Sequence, residues 1–131
     1  MATRSGAKSG KLAERYAKAL FELASEKGLL DAVAADLRTV SNMTRESGDL
    51  ALAMESPLVD RASLQRAMDS LSRRAGLTDL SRRFLGVLAN NRRLAAFAEI
   101  ATSYNALLAT SRGEHTAEVT SAAPLRPAQQ E

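Results

Sequence analysis

Residues 11–28, KLAERYAKALFELASEKG, decide the fold. Leu12, Tyr16, Leu20 and Leu23 recur at spacings of three and four with Ala13, Ala17 and Ala24 beside them, and Gly28 supplies a left-handed stop. At 100° per residue these positions, together with Phe21, fill roughly half the circumference of a helix. Lys11, Glu14, Arg15, Lys18, Glu22, Ser25 and Glu26 occupy the other half. Half a circumference is wider than one core contact needs. The surplus sector is rich in alanine, which suits a shallow groove wall for an incoming amphipathic helix, or a helix sandwiched between two others of its own bundle.

The same period continues along the chain. Leu30, Val33, Leu37, Val40 and Thr44 form a second stripe that opens at Asp31 and ends near Gly48. Asp49 to Met54 allows one or two turns before Ser56-Pro57, where the residue preceding proline disfavours helix. Asp60 is an N-cap for a helix carrying Leu64, Met68 and Leu71 and closed by Gly76; Thr78 then caps a fifth helix with Asp79 in its first turn. That helix presents Leu80, Phe84, Val87 and Leu88 and runs into Asn90-Asn91-Arg92-Arg93. Asn91 is either a capping group at its end or a polar fixture in a contact surface. A sixth helix, Leu94 to Thr110, ends at Gly113. Residues 1–10 are small, polar and basic and read as a flexible arm, while alternation from Thr116 to Ser121 reads as a single strand without a partner. The expected domain limits are therefore 1–10 for the arm, 11–112 for the helical bundle and 113–131 for an extended linker.

Composition agrees with helices and removes several function classes. The chain has 131 residues, 45% of them apolar and 25% charged, which suits one modest core plus a short remainder. Alanine supplies 25 residues and proline only three, at positions 57, 124 and 127. Without cysteine there is neither a disulfide framework nor a zinc-thiolate site. No apolar run approaches the ~20 residues that span a bilayer, and nothing hydrophobic follows the basic residues of the amino terminus, so no signal segment is expected. There is no nucleophile motif and no glycine-rich phosphate loop. The single histidine, His115, falls in the alternating segment as a solvent-facing residue, so neither catalysis nor a cofactor is implied.

The net charge of +3 is small, but Arg61, Arg66, Arg73, Arg74, Arg82, Arg83, Arg92 and Arg93 face only Asp69 and Asp79 across the fourth and fifth helices. Such a stretch either meets an anionic partner or is a solvated face.

Three blocks follow one another in order: Arg15-Tyr16-Ala17-Lys18-Ala19-Leu20-Phe21-Glu22-Leu23-Ala24, Val87-Leu88-Ala89-Asn90-Asn91-Arg92-Arg93-Leu94, and Ala117-Glu118-Val119-Thr120-Ser121-Ala122. From Lys11 to about Leu125 they resemble the delta subunit of F-type ATP synthase, whose mitochondrial relative is the oligomycin sensitivity conferral protein. The resemblance implies an all-α, six-helix amino-terminal domain that sits on the catalytic head and binds the amino-terminal helix of an alpha subunit between its first and fifth helices. It implies a non-catalytic stator subunit with no cofactor and no metal, located peripherally at the cytoplasmic face of the bacterial inner membrane, touching the membrane only through the complex. A second, smaller α/β domain that meets the b subunits of the peripheral stalk should start where this sequence ends, and nucleic acid is not an expected partner. Joined to the wide apolar faces, the resemblance puts the groove at Tyr16, Ala17, Leu20 and Phe21 on the first helix and at Phe84, Val87, Leu88 and Asn91 on the fifth. Two rivals use the same features: an unrelated helical adaptor, and a nucleic-acid-binding domain working through the arginine-rich helices with a steep salt dependence.

Overall fold

Among the described residues six α-helices follow one another: α1 Ala2–Lys27, α2 Leu30–Glu46, α3 Gly48–Glu55, α4 Arg61–Ala75, α5 Asp79–Asn90 and α6 Phe97–Ala122, the last preceded by a 3-10 turn at Leu94–Ala96. The computed structural model describes the backbone of residues 2–122 and the side chains of residues 10–113. The punctuation follows local chemistry. Gly28 and Gly76 adopt φ of 69° and 71°, which costs a residue without Cβ nothing, and they end α1 and α4. The Asp60 carboxylate accepts from the Ser63 N–H at 2.7 Å, and the Thr78 hydroxyl accepts from the Ser81 N–H at 3.2 Å, so each caps the helix that follows it. Ser47 does the same for α3 through the Leu50 N–H.

Two expectations are corrected. The segment expected as a flexible arm is helical from Ala2, continuous with α1, and the segment expected as a strand is the last part of α6, which passes through Gly113 to Ala122. A nucleated helix propagates at one hydrogen bond per residue added, and a single interior glycine costs only about 1 kcal/mol. A lone strand would leave its backbone groups unmatched, because among the described residues there is no other strand to receive it. The His115 side chain and residues 123–131 lie outside the described residues.

The main packing pairs are α1 with α6 and α4 with α5, and α2 supports both α6 and α5. On α1, Ala13, Ala17, Leu20 and Ala24 form a fully buried row, and α6, the helix that α1 packs against most, buries Ile100, Ala101, Tyr104 and Leu108. Three alanines in that row let the two helices approach closely along their length. A second tie comes from Asp36, buried on α2, which accepts from both the backbone N–H and the hydroxyl of Thr78 at 3.0 and 2.9 Å. It anchors the start of α5 to the bundle, and because the Thr78 hydroxyl donates to Asp36 while accepting from Ser81, one side chain serves both contacts.

Tyr104 closes the centre. Its hydroxyl donates to the Leu30 carbonyl at 2.7 Å, and its ring meets Phe21 edge-on at 5.8 Å. Burial raises its pKa to about 12, the nearby Asp31 carboxylate adds to the shift, and Arg112, which pairs with Asp31, opposes it. The neutral phenol is thus favoured in the folded state, so this contribution is full below the unfolded tyrosine value of about 10 and is lost as pH rises through about 12. Urea melts should show Tyr104→Phe less stable than the parent by about 1 kcal/mol at pH 7, with the difference shrinking above pH ~10. A pH-independent difference would mean that the buried hydroxyl is not what titrates.

Candidate partner-helix groove

On α1, Leu12, Tyr16 and Leu23 lie four and seven residues apart and share one side of the helix, about 100° away from the alanine row. On α5, Leu80, Phe84 and Val87, with Asn91 just past its end, repeat the same spacing, while Leu85, Leu88 and Ala89 point into the core. The two helices are not a closely packed pair; side chains bridge them. The Tyr16 and Phe84 rings meet edge-on with centroids 6.4 Å apart at 74°, and the Asn91 side-chain amide donates to the Tyr16 hydroxyl at 3.0 Å. This aromatic and amide floor is half-buried at Tyr16 and Phe84. Val87, 47% exposed, and Leu23, 44% exposed, are two of the large apolar side chains that the core does not cover. The result is an apolar surface with one polar fixture, shaped by two helices.

The eight expected residues divide three ways. Tyr16, Phe84, Val87 and Asn91 come together at this surface. Ala17, Leu20 and Leu88 do not reach it: at 0%, 1% and 0% exposure they are used up inside the bundle. The alanine sector, read as either a groove wall or a side sandwiched within the bundle, is the second of these, because the smallest side chains allow the closest approach between helices. Phe21 is five residues from Tyr16, about 140° round the helix, and it packs on Tyr104 instead. Leu12, Leu23 and Leu80 lie on the wide apolar faces but outside the eight; their i, i+4, i+7 spacing to Tyr16 and Phe84 is the signal that places them here.

Charge surrounds the surface unevenly. Arg73 and Arg82 both reach Asp69, at 2.8 and 3.3 Å, and Arg82 and Arg83 both reach Asp79, at 2.9 and 3.5 Å. The hydrogen bond from Arg73, with Arg82 behind it, holds the Asp69 carboxyl below its ordinary range. Asp60 is also held low, first by its bonds to Ser63 and then by the charges of Arg66 and Arg92. Arg61, Arg66, Arg74, Arg92 and Arg93 form no ion pair among the described residues. Within the same limits, no group of three or more His, Cys, Asp or Glu could hold a metal ion, and no helix is long and apolar enough to cross a membrane.

Comparison with known proteins bears on this arrangement. Residues 12–131 match the family described as the ATP synthase delta (OSCP) subunit. An ATP synthase subunit delta from Paramagnetospirillum magneticum is 46% identical over 122 residues, covering 93% of this chain and 66% of the relative. One from Rhodospirillum rubrum is 43% identical over 118 residues, covering 90% of this chain and 63% of the relative. The chain thus spans a little under two thirds of the length of these relatives. A chain of the Toxoplasma gondii mitochondrial ATP synthase hexamer superposes with a TM-score of 0.67 at 32% identity, over 71% of this chain and 52% of that one. An all-helical fold, a family match from Leu12 onward and relatives above 40% identity over nine tenths of its length agree: this chain belongs to the ATP synthase delta (OSCP) subunit family.

Proposed function

We propose that this chain is a non-catalytic stator part of an F-type ATP synthase and that the surface between α1 and α5 receives the amino-terminal helix of an alpha subunit. The observation that carries this reading is the paired exposure of Val87 and Leu23 beside the Tyr16–Phe84 floor. An amphipathic helix laid there would cover both rails, and finishing the burial of each half-exposed side chain contributes about 1 kcal/mol. The Asn91 amide, already tied to Tyr16, gives the floor one fixed polar point that sets how a partner seats. The work of such a subunit is mechanical. By gripping the top of the catalytic head it resists the torque of the rotor, so that rotation changes the conformation of the head instead of turning it. The b subunits of the peripheral stalk complete that grip through the portion of the relatives that extends beyond this chain. In this reading the membrane is reached only through the complex, at the cytoplasmic face of the bacterial inner membrane.

The test is a titration of the isotopically labelled chain with a synthetic alpha-subunit amino-terminal peptide of roughly twenty residues, ~30 Å of helix. Amide shifts should concentrate on residues 12–23 and 80–91. Shifts centred on α2 and α3, or none at saturating peptide, would overturn the groove.

A further inference from the structure

α5 ends in the same left-handed cap as α1 and α4, but with an arginine where those helices have glycine. Arg92 has φ of 56° and is, among the described residues, the one non-glycine residue in the left-handed region. Glycine would take that conformation without steric cost, so an arginine there is held against its preference. The turn is tight: the Arg92 N–H bonds to the Ala89 carbonyl at 3.2 Å and the Arg93 N–H to the Leu88 carbonyl at 2.8 Å. Both arginine side chains are exposed. They follow directly on Asn91, the residue that holds the Tyr16 hydroxyl.

Positive charge is in surplus at this end. The carboxylates of the α4–α5 hairpin, Asp69 and Asp79, are taken up by Arg73, Arg82 and Arg83. The Arg92 charge acts on the Asp60 carboxylate, which is already engaged in capping α4. Arg61, Arg66, Arg92 and Arg93 find no ion-pair partner among the described residues, nor does Arg15, the exposed neighbour of Tyr16 on α1. An apolar surface whose edge carries unpaired arginines selects by charge as well as by shape.

From this juxtaposition we infer that the helix received between α1 and α5 carries carboxylates where it passes Asn91, and that Arg92 and Arg93 are the residues that take them. The inference rests on the groove reading above and adds the chemistry of the partner to it. Guanidinium forks suit carboxylates in a two-bond geometry, and a partner helix whose carboxyl-terminal end lay here would add its own negative pole. Arg92 and Arg93 are then specificity residues.

Three probes test it by calorimetry against the full chain: the synthetic alpha-subunit amino-terminal peptide, the same peptide with every Asp and Glu replaced by Asn and Gln, and an unrelated amphipathic helix with acidic flanks. At low salt, Arg92→Gln with Arg93→Gln should weaken the acid-bearing probes about tenfold and flatten their salt dependence. Arg74→Gln, an exposed arginine on α4 remote from Asn91, should leave affinity within about twofold. Equal binding of the acidic and amide peptides by the parent chain, or equal losses in the double variant and in Arg74→Gln, would overturn this inference and leave the groove standing. Binding of the unrelated acidic helix without the alpha peptide would overturn the alpha-subunit reading and keep the acidic chemistry. Failure of all three probes would overturn both. Thermal melts of each variant accompany the titrations, since a fall in melting temperature that accounts for the lost affinity would make the two arginines helix-end stabilisers and nothing more.

Discussion

Ala17→Asp should abolish the cooperative fold of the bundle. Ala17 has no exposed surface and stands in the buried row Ala13, Ala17, Leu20 and Ala24 of the helix that packs most against α6. A carboxylate at that point has no cation within the row and no water, and it must also push apart two helices whose approach depends on alanine. An unpaired buried charge costs several kcal/mol, and overpacking typically adds 1–3 kcal/mol. A domain of this size has about 5–15 kcal/mol in hand, so most or all of its stability goes. Thermal melts followed by circular dichroism check it, with Ala17→Gly as the control that removes only a methyl and should cost about 1 kcal/mol. From the sequence alone the same substitution is expected to spare the fold and weaken partner binding if Ala17 lines the groove, and to collapse the fold if it belongs to the core. A folded Ala17→Asp with impaired binding would restore the first of these and would mean that α1 can turn its alanine row outward.

Val87→Asp should do the reverse, leaving the fold intact and removing the binding of the alpha-subunit peptide. Val87 is 47% exposed on α5, one turn from Phe84 and from Asn91, so its side chain contributes little to the core and stands where a partner helix must press. A carboxylate buried there on binding would be desolvated without a partner, and a loss above ~1.4 kcal/mol, more than tenfold in affinity, is expected. Val87→Asn separates polarity from charge: if the partner carries carboxylates near the end of α5, Asp should be worse than Asn, because like charges then meet at the interface. Calorimetric titration of both variants, with melts alongside, gives the answer. Unchanged affinity in folded Val87→Asp would take α5 out of the groove.

The contrast between these two positions shows how far patterning reaches. Both lie on apolar faces broad enough to serve two purposes, and nothing in their spacing says which edge turns inward. The hydrophobic effect is nearly non-directional and grows with area, so an apolar stripe announces that it will be buried without naming what buries it. The choice between edges was made by size. Where helices approach most closely small side chains are needed, so the alanines of α1 went inside the bundle and the larger Leu12, Tyr16 and Leu23 were left along the rim. Phe21 was drawn to Tyr104 for the same reason that separated it from Tyr16, its place about 140° round the helix.

What the sequence determined by itself was local: six helices, the stops at Gly28 and Gly76, and the caps at Asp60 and Thr78. Each of these rests on chemistry within three or four residues or on one residue's own φ, and both are legible from residue type. What only the tertiary structure decided was long-range. The bond between Asn91 and Tyr16 joins residues 75 apart, and the tie from Asp36 to Thr78 spans 42. The segment up to Ala122 is helical although it alternates like a strand, because a strand needs a neighbour and a helix makes its own hydrogen bonds. Periodicity records what a chain can bury; which surfaces remain open depends on which helices meet, since that is settled by the close packing of all six at once.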